Sequence, residues 1–152
     1  MADVSKMARR IANECPGLRL RQASRVVAKI YDDALRPSGL QISQLPVLTA
    51  LAIFGEKGAT MQALAQVVVM DRTTLTRSVK PLEKAGLLLV ARAPDDARAR
   101  VLVLTRAGER ALEEAFPLWE KALKRVRSEL GPSAVSELQE QLAGVIAMRP
   151  GA

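Results

Sequence analysis

Between Asp71 and Gly86 the sequence reads DRTTLTRSVKPLEKAG, and its polar residues fall at intervals suited to recognising a polyanion. At about 100° per residue, Thr73, Arg77, Lys80 and Lys84 share one face of a helix, while Leu75, Val79 and Leu82 share the opposite one. A guanidinium can pair bidentately with guanine, and a threonine can meet a thymine methyl or a phosphate. A cationic face with hydroxyls in its first turns is therefore what a reader of the DNA major groove needs. On that reading Arg72, Lys84 and the helix N-termini contact phosphates, while Thr73, Thr74, Thr76, Arg77 and Lys80 meet bases or nearby phosphates. The plainer alternative is a solvated amphipathic helix, since a stripe of cations is a common surface feature.

The flanking residues say what would hold such a helix. Asp71 is a suitable N-cap and Gly86 a natural left-handed stop. Pro81 removes a hydrogen bond to the carbonyl of Arg77, so the helix is expected to kink or tighten over its last turn, beyond the base-reading residues. Upstream, Thr60 can cap a shorter helix with Met61, Leu64, Ala65 and Val68 at helical spacing, and an abrupt turn then leads into Asp71. Downstream, residues 87–92 (LLLVAR) and 99–104 (ARVLVL) are strand-like runs joined through Pro94-Asp95-Asp96. Two helices followed by a hairpin make a winged helix-turn-helix. Asp96 and Arg98 would share a face of an extended strand, so the carboxylate can steady the guanidinium; an ordinary hairpin ion pair is the alternative.

The run MDRTTLTRSVKPLEKAGLL, then Asp96-x-Arg98, then Leu104-Thr105-x-x-Gly108 resembles the MarR (multiple antibiotic resistance regulator) family of transcription factors in order and spacing. The resemblance extends over about residues 18–146. It implies a homodimer on palindromic double-stranded operator DNA, with the Thr73 to Lys84 stripe in the major groove and Arg98 at the wing tip reaching the minor groove. It implies also that residues 18–36 and 105–148 form the dimerisation helices and residues 42–104 the DNA-binding lobe. A small aromatic or anionic effector is expected in the crevice between them. No motif identifies that effector: Tyr31, Phe54 and Trp119 could wall the pocket and Arg19 or Arg25 pair an anion, or they are core aromatics and solvated arginines. A branch of the family senses peroxides through one N-terminal cysteine, which makes Cys15, close to Arg19, a redox candidate; an inert, partly buried thiol is the alternative.

Composition narrows the classes. The 152 residues fit one domain, and 49% hydrophobic content with only 3% aromatics suits a core of packed aliphatic helices. The net charge of +7 is unevenly spread: residues 1–36 and 60–106 each carry 8 basic and 4 acidic residues, whereas residues 107–152 carry 6 basic and 7 acidic. The excess thus lies on the N-terminal segment and the proposed DNA-binding module. There is no histidine, which excludes a Ser-His-Asp site and any His-bearing metal centre, and one cysteine excludes a thiolate zinc cluster. No Gly-rich phosphate loop is present, so neither an enzyme nor a cofactor is expected. No signal-like or membrane-length apolar stretch occurs, and a cytoplasmic protein is expected.

In chain order, residues 1 to about 14 read as a frayed polar start, followed by a long helix over 18–36 with Leu20, Ala23, Val27, Ile30, Ala34 and Leu35 apolar. Ser43 is expected to cap a helix over 44–54 that buries Leu45, Leu48, Leu51 and Ala52. Thr105 can cap a helix running toward Leu130, apolar along Leu112, Phe116, Trp119, Leu123, Val126 and Leu130 and interrupted at Pro117; Ser133 would cap a last helix with Val135, Leu138, Leu142, Val145 and Ile146 on one side. These faces exceed what a small winged helix can cover, so a second copy is expected to bury them, or else a closed three-helix unit within the chain. The fold class expected is mostly α (α+β), a winged helix-turn-helix whose terminal helices dimerise. Its function would be a ligand-responsive repressor; alternatives are a redox-sensing regulator using Cys15, or a winged-helix adaptor that binds protein and not DNA.

Overall fold

The capping and stop signals of the sequence become a chain of helices with one hairpin in the computed structural model, which describes residues 3–93 and 99–148. Helices α1 (Val4–Glu14) and α2 (Pro16–Leu35) are separated only by Cys15 in an extended conformation. Helices α3 (Leu45–Phe54), α4 (Met61–Val68) and α5 (Arg72–Lys84) lead into the antiparallel strands β1 (Leu88–Arg92) and β2 (Arg100–Leu104); α6 (Arg106–Leu130) and α7 (Pro132–Ala147) follow. The strands pair from Leu88 with Leu104 to Arg92 with Arg100. Ala59 adds a one-residue third rung: its N–H donates to the Leu102 carbonyl at 2.9 Å, and its carbonyl accepts from the Leu102 N–H at 2.8 Å. Gly58 permits that approach, because a Cβ there would stand 2.5 Å from the Leu102 carbonyl oxygen. The chain thus adopts the mostly helical winged helix-turn-helix architecture expected from its sequence.

One apolar core joins these elements. Leu35 of α2, Leu48 and Leu51 of α3, Leu64 of α4, Leu75 and Leu82 of α5, and Leu88 of β1 are fully buried together. Each such side chain contributes about 1.5–3 kcal/mol. Helix α2 packs along α6. Gly108 closes the joint between hairpin and α6: a Cβ there would fall inside the van der Waals shell of the Leu87 carbonyl oxygen and 2.6 Å from Leu104 Cδ1. Beside it the Thr105 hydroxyl accepts from the Gly108 N–H at 3.1 Å and donates to the Gly86 carbonyl at 2.6 Å. The Leu104-Thr105-x-x-Gly108 signature is therefore a packing requirement.

Several expectations need correction. The polar start is a formed helix, α1, because Asp3 caps it by accepting from the Lys6 N–H at 3.2 Å. Ser43 caps nothing: it lies in a turn closed by the Gln41 N–H donating to Gln44 Oε1 at 2.8 Å, and α3 opens at Leu45 with Gln44 in cap position. Ser133 falls in the first turn of α7, since Pro132 occupies the first helical position and Gly131 the cap. Ala52 is exposed and Val47 and Ala50 are buried in its place, which rotates the inward face of α3. Leu20 and Ala23 stay exposed on an apolar face expected to await a second copy, since α2 extends past the core that it meets from Val27 onward. Helix α6 turns its small residues Gly108, Ala115 and Ala122 inward and leaves Phe116 and Leu130 exposed, while Val135 is the one buried residue of α7 among those described. Pro117 does not interrupt α6, which runs unbroken across it.

Candidate nucleic-acid interface

The local chemistry at both ends of α5 fixes its position. Asp71 Oδ2 accepts from the Thr74 hydroxyl at 2.6 Å and Oδ1 accepts from the Thr74 N–H at 2.9 Å. These bonds, the hydroxyl's first, hold the Asp71 carboxyl below the usual carboxylate range. At the other end the Leu87 N–H donates to the Leu82 carbonyl at 3.0 Å and the Gly86 N–H to the Glu83 carbonyl at 2.9 Å, with Gly86 at φ 71°. That is the two-bond stop in which a left-handed glycine satisfies the last carbonyls. The helix runs through Pro81 without a break, and the short bond from Gly86 to Glu83 tightens the chain after Lys80. Between α4 and α5 the chain turns on Val69 at φ 56°, ψ 46°, a conformation β-branched residues avoid.

With Leu75, Val79 and Leu82 buried, the opposite face of α5 is free. Arg72, Thr73, Thr74, Arg77, Lys80 and Lys84 are all exposed; Thr76 is half-buried, and its hydroxyl donates to the Arg72 carbonyl at 2.7 Å. The hydroxyl protons of Thr74 and Thr76 are thus committed within the helix, while that of Thr73 has no partner among the described residues. The four cations make no ion pair among the described residues, although arginines elsewhere pair with Glu14, Asp33, Glu109 and Glu129. Arg77, Lys80 and Lys84 on one helix face, with Arg72 exposed at the helix start, give a concentrated positive potential. Thr60, Gln62, Gln66 and Arg72 border a cleft where the first turn of α4 meets the start of α5, so the positive end of one helix dipole opens beside the cationic face. Asp96 and Arg98 lie outside the described residues.

A second concave feature lies between α3 and α6. Leu45, Thr49, Ala52 and Ile53 of α3 and Leu112, Ala115, Phe116 and Trp119 of α6 line a groove of about 390 Å³. Phe116 and Trp119 stack there with ring centroids 5.8 Å apart. Thr49 is its one polar lining residue, and that hydroxyl donates to the Leu45 carbonyl at 2.7 Å. Of the five effector candidates only Trp119 lines the groove. Tyr31 is in the core, where burial raises its pKa against the opposing effect of Arg127; Phe54 packs against the core, and Arg19 and Arg25 are exposed on α2 away from the groove. The groove's signal was the segment LPVLTALAIF, apolar on every side and so too greasy for a helix with one buried face. Cys15 is half-buried between α1 and α2. Among the described residues no three Cys, Asp or Glu side chains cluster as metal ligands, and no helix is long and apolar enough to cross a membrane.

Comparison with known proteins places this geometry. A sequence model of the MarR family matches residues 38–99, the span from just after α2 through α3, α4, α5 and β1 to the residue before β2. The HTH-type transcriptional regulator YwoH of Bacillus subtilis (strain 168) is 33% identical over 95 residues, which is 62% of this chain and 67% of that protein. The M. tuberculosis transcriptional regulator MosR, solved in complex with DNA, is 33% identical with a TM-score of 0.73, covering 90% of this chain and 99% of MosR. The transcriptional repressor CouR of Rhodococcus jostii RHA1, solved on a 23-mer DNA duplex, is 26% identical with a TM-score of 0.77, covering 89% of this chain and 94% of CouR. The chain belongs to the MarR family of DNA-binding transcriptional regulators.

Proposed function

We propose that this regulator is a homodimeric repressor that holds a palindromic operator through two copies of α5 and releases it when a small apolar molecule enters the groove between α3 and α6. The observation that carries the reading is the face of Arg77, Lys80 and Lys84, opposite the buried stripe and without ion pairs among the described residues, with Arg72 exposed at the helix start. Arg72 and Lys84 serve phosphates, Arg77 and Lys80 reach base edges, and Thr73 donates its free hydroxyl; Thr74 and Thr76 contribute methyl groups and lone pairs only. Residues 42–104 form the DNA-binding lobe, and residues 18–36 and 105–148 the pairing helices. The support for pairing is the apolar surface that the terminal helices leave uncovered: Leu18, Leu20 and Val26 on α2, Leu130 on α6, and Leu138, Val145 and Ile146 on α7. A two-fold dimer sets its recognition helices about 34–36 Å apart, one turn of the duplex. The repressor sense is taken from CouR, whose fold the chain shares.

The groove is lined by no charged side chain, which favours the aromatic and apolar side of the effector expectation over the anionic one. It also lies between a pairing helix, α6, and a helix of the DNA-binding lobe, α3, so filling it bears on the separation of the two. The test is a gel-shift assay on the DNA just upstream of the protein's own gene, with stoichiometry from light scattering of the complex. Two chains per site, with shifts abolished by neutral aromatic compounds, are expected. A one-to-one complex would overturn the dimeric reading, and indifference to every apolar compound would overturn the ligand-responsive one.

A further inference from the structure

The α3–α6 groove is apolar within and acidic at its edge. Helix α3 contributes no charged residue, and the Thr49 hydroxyl proton is committed to the Leu45 carbonyl. Passing round α6 from its buried side, Ala115, Trp119 and Leu112 come first and Phe116 next; Glu120 and Glu113 follow at about 40° and 60° beyond Phe116. Phe116 therefore stands between two carboxylates, one turn away on either side. Both are exposed, and neither makes an ion pair among the described residues. The adjoining cleft, which shares Ala52 with the groove, is bordered by Glu56 and Glu109, of which Glu109 already pairs with Arg106 at 2.9 Å. Arg110 and Lys121 lie on the far side of α6, and Lys124 lies beyond Trp119, the last lining residue.

We infer that the groove selects organic cations: an aromatic body enters it, and the same body carrying one ammonium group enters it more tightly. The inference rests on the groove ligand of the proposed function and adds its charge. The body fills the cavity of about 390 Å³. Phe116, stacked on Trp119 and 57% exposed, keeps the outer face of its ring open, and the negative face of an aromatic ring attracts a cation. Glu113 and Glu120 flank that ring about 10 Å apart along the helix axis, so a cation over Phe116 lies between them. An anion at the same place meets those carboxylates with no lining cation to offset them. Because the carboxylates are exposed, salt screens their pull, whereas it does not screen the entry of a neutral body.

Matched probes test this on the full-length chain, without DNA, which binds cations itself. Phenylbutyltrimethylammonium, phenylbutanol and phenylbutyrate share one aromatic body and differ in charge, and the emission of Trp119, the single tryptophan, reads their occupancy of the groove. The ammonium compound is expected to bind about tenfold more tightly than the alcohol at low salt, with phenylbutyrate weakest, and added salt should shrink the advantage. Glu113→Gln with Glu120→Gln should bring the ammonium compound within about threefold of the alcohol and leave the alcohol's affinity unchanged; Glu114→Gln, on the far side of α6, should keep the full preference. Equal binding of the three probes, tightest binding of phenylbutyrate, or a preference that survives in the double variant overturns the inference and leaves the apolar groove of the proposed function standing. Emission that no probe alters, or that changes only on dilution of the protein as a second copy leaves the groove, removes the groove ligand and the inference together.

Discussion

Replacing Gly108 with alanine sets two effects against each other. In a helix interior, Gly→Ala stabilises by about 0.8–1 kcal/mol through propensity alone. Gly108, however, sits in the third position of α6 with the Leu87 carbonyl oxygen inside the van der Waals shell of any added Cβ and Leu104 Cδ1 at 2.6 Å. One neighbour is backbone of the segment entering β1, which cannot rotate away, so hairpin and α6 must part. Forcing a methyl into a packed joint costs about 1–3 kcal/mol or more, and the clash wins. The expected net loss is up to about 2 kcal/mol, a fall of up to about 4–8 °C in Tm for a domain of this size. Gly144 in α7 is the internal control: nothing lies within 4 Å of an added Cβ, and by helical rotation it faces away from Leu138, Val145 and Ile146. Gly144→Ala is expected to raise Tm by about 2–3 °C. Both are read by thermal unfolding at one fixed protein concentration, because a dimer's Tm depends on it. If Gly108→Ala is as stabilising as Gly144→Ala, the steric account of the signature is wrong.

The Asp71 cap makes a pH prediction. Its folded carboxyl is depressed by bonds from the Thr74 hydroxyl and amide, so the cap's contribution is fully present above the unfolded value and is lost as pH falls through the lower folded one. Asp71→Asn should keep the cap and lose that acid dependence, whereas Asp71→Ala should lower Tm at neutral pH; identical acid titrations of stability in wild type and Asp71→Asn would contradict this. Val69 in the left-handed region stores about 1–2 kcal/mol that Val69→Gly or Val69→Asn should release, giving a higher unfolding midpoint in urea; a lower midpoint for both would show that packing of this half-exposed side chain outweighs its backbone strain. Trp119 is the protein's single tryptophan and lines the groove, so a neutral aromatic compound that dissociates DNA should quench its emission over the same concentration range. Dissociation without quenching would place the effector elsewhere.

The elements that touch the core through one face were readable in advance, and those with two faces were not. Leu75, Val79 and Leu82 make one narrow stripe, and all three are buried; Thr60, Asp71 and Thr105 cap the helices that they precede. The serines misled because a cap needs the right backbone and not only the right side chain: Ser43 lies in a preceding turn, and Ser133 follows a proline that takes the first helical position. In α3 the apolar pattern has no polar side to fix its rotation: Leu45, Leu48 and Leu51 are buried as expected, but Val47 and Ala50 complete the inward face and Ala52 turns outward with Ile53 to wall the groove. Aromatic type left pocket and core both open for Tyr31, Phe54 and Trp119: Tyr31 and Phe54 serve the core, while Trp119 lines the groove with Phe116 exposed beside it. Nothing in residue type decides between these fates; it follows from which face α6 turns inward, and its small residues Gly108, Ala115 and Ala122 set that.

The central claim is that the free face of α5 carries the DNA. Binding of the native operator, followed by fluorescence anisotropy across a salt series, measures it directly, because each neutralised phosphate adds about 0.9 to the slope of log affinity against log salt. Arg77→Ala, Lys80→Ala and Lys84→Ala together should weaken binding at least a hundredfold and flatten the slope by about 2–3 per chain while leaving Tm unchanged within about 2 °C, since these exposed side chains make no ion pair among the described residues. A variant that binds with the wild-type affinity and the wild-type salt slope would show that another surface meets the DNA.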